Sequence, residues 1–459
     1  MNASFSIGSI ALIDKINAEI GFFDFLFDGI GGRARNLKET AKLLTMNRLG
    51  DCVSIHRLTK LNPIEVFREL GFRELPKERS LYRNVERLGE LSPVILEKYQ
   101  KLIKRHDLVS VEQFVDFSSS YFEGKQSTLG ALGYSRDHEP GKEQLVFGIS
   151  TGLNNVPTAL TIQKGNIVDK KHMRVMLKTV SKVLEPDSLL IFDCGANTKA
   201  IKKKIKKLGF HYLTLKPKKR GPYKQFIKRF QDNPKQVIEV NGIAYECVKV
   251  SAESEQYYVF FSEKLFNEQL AKRKKKFAKE LNKNDSKLKK LKRNKPLSQH
   301  ISKEGIIQAF GQLQKQLSLE NPFITSLEGY FILESSLDLP SEDILRIYKN
   351  RDKAEKLIRD MKEGTELRPM RHWSKKAVIG YLLIVFLTNC LISLTQFFCK
   401  NPLVKNLKLL KKYLHNLTLT VVYPKKAFRF TVLCNETPEI TAIFGDFLKN
   451  YKEKPLDFG

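Results

Sequence analysis

The sequence has no paired cysteines. Its six, at 52, 194, 247, 390, 399 and 434, form no CxxC and have no histidine ligand set beside them. That argues against a disulfide framework or a zinc module, and the thiols read as reduced in a cytosolic protein. No Walker-type glycine loop is present, so nucleotide hydrolysis is not suggested. No internal repeat is visible. The first residues, MNASFSIGSIALIDKINAEIGFFDF, carry no basic n-region and are interrupted by Asp14, so they do not make a signal peptide. Acid is also scarce: 50 Asp and Glu stand against 80 Lys and Arg, a net charge of +30 with a pI of about 9.7. That excess predicts a polyanionic partner, nucleic acid ahead of an acidic membrane or protein.

What is present is a chain of 459 residues, enough for two or three domains, with an ordinary 42% of hydrophobic residues for a core. Residues 1–110 read as a helical N-terminal, DNA-binding domain, with Asn36 and Ser92 as N-caps of two helices. No helix-turn-helix is assignable there. From 111 to 216 the pattern is three strands, a helix capped by Asp169, a strand ending at Asp193, a basic helix and another strand, which implies a mixed α/β sheet. Residues 217–340 read as a β-containing insertion. Asn241-Gly242 marks a hairpin in it, and residues 271–295 form an arm with thirteen basic and two acidic residues. The arm is either a solvated linker or a sequence-independent clamp on a DNA backbone. Residues 341–459 complete the core. Within them, 377–398 is long enough to cross a bilayer, but Thr388, Asn389, Ser393, Thr395 and Gln396 interrupt it, and it reads as a buried helix with no membrane partner.

The stretch YKNRDKAEKLIRDMK, 348 to 362, puts Tyr348, Arg351, Glu355 and Lys362 at offsets of 0, 3, 7 and 14. At ~100° per residue these return to nearly one line on a helix. Ser341, Glu342 and Asp343 mark a start and Gly364 a stop, so the spacing predicts one helix throughout, with Leu345, Ala354, Leu357, Ile358 and Met361 as its buried face. Taken alone, it is a surface helix with ordinary ion pairs such as Arg351 with Glu355. Asp116 lies mid-strand and Asp193 ends a strand, where sites in open α/β sheets sit. Either aspartate alone could be structural, Asp193 as a helix cap and Asp116 in a turn. Together with Glu355 they make three carboxylates able to hold two Mg²⁺ (or Mn²⁺) ions about 4 Å apart for phosphoryl transfer. Arg351 and Lys362 would then grip DNA phosphates, and Tyr348 would stack on a base or bond a phosphate.

The pattern Tyr-x2-Arg-x3-Glu-x6-Lys resembles the YREK signature of DDE transposases in the insertion-sequence-four superfamily. "VDFSSSYFE", "LGYSRD", "GISTGLNNVPTALTIQKGNIVD", "FDCG" and "EGYFILESS" resemble blocks of the same family, over about 110 to 400. The 162 residues from Asp193 to Glu355 (355 − 193) resemble its long-insertion subgroup. Ser118 stands where the family often has threonine, and the one tryptophan, Trp373, lies outside the insertion. The resemblance implies a ribonuclease-H-like mixed-sheet catalytic core with the β-containing insertion and a helical N-terminal domain. It implies a cytoplasmic, nucleoid-associated enzyme that binds double-stranded DNA at the terminal inverted repeats of its own element. The enzyme would cleave these ends and join them to target DNA, as a homodimer in a synaptic complex. A ribonuclease-H-like nuclease without strand transfer, or an inactive DNA-binding relic, are the alternatives.

Overall fold

The computed structural model describes residues 3–30, 36–252, 255–293, 324–399, 401–425 and 428–452. They form two compact units, Met1–His211 with Asn350–Gly459, and Tyr212–Lys349.

The first unit is built on a mixed sheet. β2 (Glu112–Tyr121), β3 (Gln144–Gly152) and β4 (Pro157–Lys164) make an antiparallel meander. A crossover through α7 (Asp169–Val180) returns the chain to the other side of β2 as β5 (Leu189–Phe192), parallel to it. These strands are almost wholly buried, which is why they read as continuous apolar runs rather than alternating ones. The arrangement is that of the expected ribonuclease-H-like core. β1 (Ala3–Ser6) pairs with a C-terminal hairpin of β11 (Thr418–Lys425) and β12 (Phe428–Cys434) as a second, small sheet.

The N-terminal helices belong to this same unit: α1 (Gly8–Ile20), α2 (Phe22–Phe27), α3 (Leu37–Leu49), α4 (Ile55–Leu61), α5 (Ile64–Glu69) and α6 (Glu78–Arg105). Two expected caps are not caps. Asn36 is left-handed and its side chain caps nothing, whereas its carbonyl takes the Thr40 amide. Ser92 is buried in the middle of α6, which runs straight through Pro93. Packing overrides the local start signal there, because α6 lies along the apolar α13 (Lys375–Cys399).

That contact is backbone to backbone. A Cβ on Gly89 would overlap the Lys376 carbonyl, and one on Gly380 would overlap that of Val85. By length and composition α13 could cross a membrane, yet most of its residues are buried against the protein. Four of its polar interruptions, Thr388, Asn389, Thr395 and Gln396, are bonded within the protein. Thr388 Oγ1 and Thr395 Oγ1 bond carbonyls one turn back, each at 2.8 Å, and Asn389 Nδ2 reaches Thr365 Oγ1 at 2.9 Å.

The second unit holds an antiparallel sheet in the order β6 (His211–Leu215), β10 (Tyr330–Ser335), β9 (Glu255–Phe261), β8 (Ile243–Ala252), β7 (Gln236–Val240). The β7–β8 turn runs through Asn241 and Gly242, both at positive φ, as a type I′ turn requires. Helix α9 (Arg220–Asp232) covers the sheet with Tyr223, Ile227 and Phe230 against Val248, Val259 and Ile332. The basic arm is helical as far as the end of α10 (Glu263–Arg293), and Asn294 and Lys295 lie outside the described residues. One of its cations is structural: Arg273 meets the buried Glu328 at 2.7 Å.

Candidate active site

The parallel pairing of β2 with β5 runs from Glu112 opposite Leu189 to Val115 opposite Phe192. The pairing stops one residue short of Asp116 on β2 and of Asp193, which follows the last residue of β5. Paired residues on neighbouring parallel strands lie ~4.8 Å apart, so both aspartates follow directly on the same end of the paired segment. Each is oriented by the amide that follows it. Asp116 Oδ1 accepts from Phe117 N at 2.9 Å, and Asp193 Oδ1 from Cys194 N at 2.7 Å. Asp193 therefore also begins the short 3₁₀ turn after β5, so its structural and chemical readings coexist.

Glu355 arrives from a different direction. The single helix expected over 341–364 is broken. α11 (Ser341–Lys349) stops, Asn350 and Arg351 turn, α12 (Asp352–Arg359) restarts, and a π turn covers Asp360–Gly364. α12 packs on β2 and β3, and Lys353 Nζ ties it to Asn155 Oδ1 in the β3–β4 turn at 3.0 Å. Ala354, Leu357, Ile358 and Met361 are buried as expected, leaving Glu355 exposed. Tyr348 falls on α11, in the second unit, so the four residues do not form one helical stripe.

Arg351 Nη2 donates to Glu355 Oε1 at 2.6 Å, the i, i+4 pair that the spacing predicts. Its charge also acts on Asp116 and on Cys194 beside Asp193. One guanidinium thus serves both Glu355 and Asp116. The Asp116 carboxyl is nonetheless pushed up to about 6, first by desolvation, with Glu355 adding to the rise and Arg351, the Phe117 amide and Arg136 opposing it. Lys362 is not free. It is buried, and its Nζ sits 2.7 Å from Oδ1 of the fully buried Asp137, which Arg368 also meets at 2.9 Å.

The residues that sequence reasoning missed are in this network. Arg136 bonds Asp169 Oδ1 at 2.5 Å, and its backbone amide bonds Ser119 Oγ on β2. Asp137, next in the chain, takes the two cations from 362 and 368. The Arg-Asp pair stood in the block LGYSRD, but nothing local in it signals partners more than 200 residues away. Asp169, expected as a cap, is instead the first residue of α7 and the partner of Arg136.

A family model described as a transposase DDE domain matches residues 114–391, more than half of the chain. The chain belongs to the DDE transposases. No curated protein matches it. A solved structure, described as a cryo-EM structure of piggyBac transposase synaptic complex with hairpin DNA, is similar over 88% of this transposase and 76% of that chain. At 10% identity and a TM-score of 0.43, nothing is carried over from it.

DDE transposases generally use divalent metal ions. Among the described residues of this transposase no three His, Cys, Asp or Glu side chains converge as a ligand cluster. The donor chemistry still fits a hard cation: three carboxylates and no nitrogen or sulfur ligand. The convergence is incomplete where Arg351 holds Glu355.

Proposed function

We propose that this protein is a DNA transposase of the YREK, long-insertion type, which cleaves the ends of its own element and joins them to target DNA. The observation that supports this reading is the register of β2 and β5, whose last pair, Val115 with Phe192, is followed on both segments by an aspartate in a chain of the DDE transposase family. Asp116, Asp193 and Glu355 would hold the ions, two Mg²⁺ or Mn²⁺. When bound, such ions acidify the attacking water or 3′-hydroxyl and stabilise the leaving oxygen.

The chain's own residues supply the rest. The amides of Phe117 and Cys194 fix the two aspartates, so their oxygens need little reorganisation. Arg351 holds Glu355 before DNA arrives, and a phosphate would compete for the same guanidinium, releasing Glu355. Tyr348, on α11, would contact DNA. Lys362 is better read as a positioning residue, because its ammonium is committed to Asp137. The partners are duplex DNA at the terminal inverted repeats and at the target, with a homodimer in the synaptic complex and a cytoplasmic, nucleoid-associated location.

The test supplies the protein with Mg²⁺, labelled DNA carrying the inverted repeats that flank its gene, and a supercoiled plasmid. Labelled ends joined to plasmid support transposition. Cleavage with no joining would make it a nuclease.

A further inference from the structure

The net charge of +30 needs a place on the surface, and the first unit concentrates part of it in one groove. The groove, ≈ 920 Å³, runs between α12 with its π turn, the end of α3, and α14 (Leu407–Asn416). Lys405, Lys408, Lys412 and Arg359 line it, all exposed and without an ion pair among the described residues. Lys411 is fixed by donating to the Gly364 carbonyl at 2.9 Å. The acids on the same walls offset little of this charge. Glu363 is paired with Arg368 at 2.6 Å, Asp360 is half-buried with its carboxyl pushed up by desolvation, and only Asp51 is open. An enclosed site for one anion would not leave four cations spread along an open wall.

The groove is also linked to the acids. Arg359 follows Glu355 by four residues on α12, so it lies on the same face about 6 Å further along. On α14 the lysines Lys408, Lys411 and Lys412 extend the cationic wall by ~6 Å, roughly two base pairs at 3.4 Å each.

We propose that this groove seats the phosphate backbone of duplex DNA on one side of the cleaved bond. The contact is sequence-independent, because lysines along a wall read phosphates and not base edges. It rests on the reading of the chain as a DNA-cleaving enzyme, and it adds where the DNA runs after leaving Glu355.

The experiment uses the full chain without metal, so its outcome is separate from any cleavage assay. Lysines are acetylated in the free protein, with a random duplex of about 30 base pairs, and with a polyglutamate of equal charge. Lys405, Lys408 and Lys412 are expected to be protected several-fold by the duplex and not by the peptide, while Lys125 and Lys170 stay reactive. The triple variant K405Q/K408Q/K412Q should lower the slope of log affinity against log salt by ~0.9 for each lysine. Equal reactivity with and without duplex, an unchanged slope, or better protection by polyglutamate would each overturn the proposal. Exposed lysine-to-glutamine changes preserve the fold. Should the triple variant unfold, the footprint on the unaltered protein decides alone.

Discussion

Lys362 and Asp137 form a closed pair: Nζ to Oδ1 is 2.7 Å, and the carboxylate is fully buried. The pair links the π turn after α12 to the loop between β2 and β3. Lys362→Met should therefore destabilise the protein. Removing one partner of a buried pair costs ~3–5 kcal/mol, and the remaining Arg368 should reduce this to about 2–3 kcal/mol. Adding Asp137→Asn should restore part of the loss. Urea unfolding measures both. A Lys362→Met protein of normal stability whose only defect is in DNA affinity would return the lysine to phosphate contact.

Asp116 gives a pH dependence with a definite sign. Its carboxyl is raised from 3.8 to about 6, chiefly by desolvation. The folded protein therefore holds a proton that the unfolded chain releases. The stabilisation is full below about pH 4, is lost as pH rises to about 6, and changes no further above that. At pH 7 and without metal, Asp116→Asn should be more stable than the unaltered protein by ~3 kcal/mol, at 1.36 kcal/mol per pH unit. At pH 4 the difference should vanish. Thermal melts at the two pH values check this, and equal melting at pH 7 would show that the site imposes no such strain.

Arg351 competes with cations for the same acids. Arg351→Ala should raise the affinity of the DNA-free protein for Mn²⁺ several-fold while weakening DNA binding and lowering its salt slope by ~0.9. Calorimetry with Mn²⁺ alone separates the two effects. Unchanged Mn²⁺ affinity would mean that Arg351–Glu355 is an ordinary surface pair.

The crossing of α6 and α13 depends on two missing side chains. Gly380→Ala drives a methyl into the Val85 carbonyl and should cost ~1–3 kcal/mol or more. Gly124→Ala meets nothing within 4 Å and serves as the neutral control. Similar stability in the two variants would contradict the close approach.

What could be read from sequence was what periodicity and local turn chemistry encode. The order of strands and helices from β2 to β6, the hairpin at Asn241-Gly242, and the burial of α13 all carry such signals. The break at Asn350–Arg351 does not. No proline or glycine marks it, and the apolar spacing continues on both sides. Ser92 misled for the opposite reason: a good start signal lies inside a helix that tertiary packing holds together. The parallel pairing of β2 with β5 that leads up to Asp116 and Asp193 joins segments 77 residues apart (193 − 116), and Lys362 meets Asp137 across 225 residues. Neither is local, so the three acids could be proposed from sequence but not their neighbours.

The most direct measurement is cleavage and joining by the carboxylate variants. Labelled ends with the flanking inverted repeats, plasmid and Mg²⁺ are incubated with the unaltered protein and with Asp116→Asn, Asp193→Asn and Glu355→Gln. Loss of a site that stabilises the transition state costs at least ~3–4 kcal/mol, a hundredfold or more in rate. The unaltered protein should release 3′-hydroxyl ends and join them, and each variant should do neither while binding the DNA within a few-fold of normal. An active unaltered protein alongside any one variant of full rate would contradict the account.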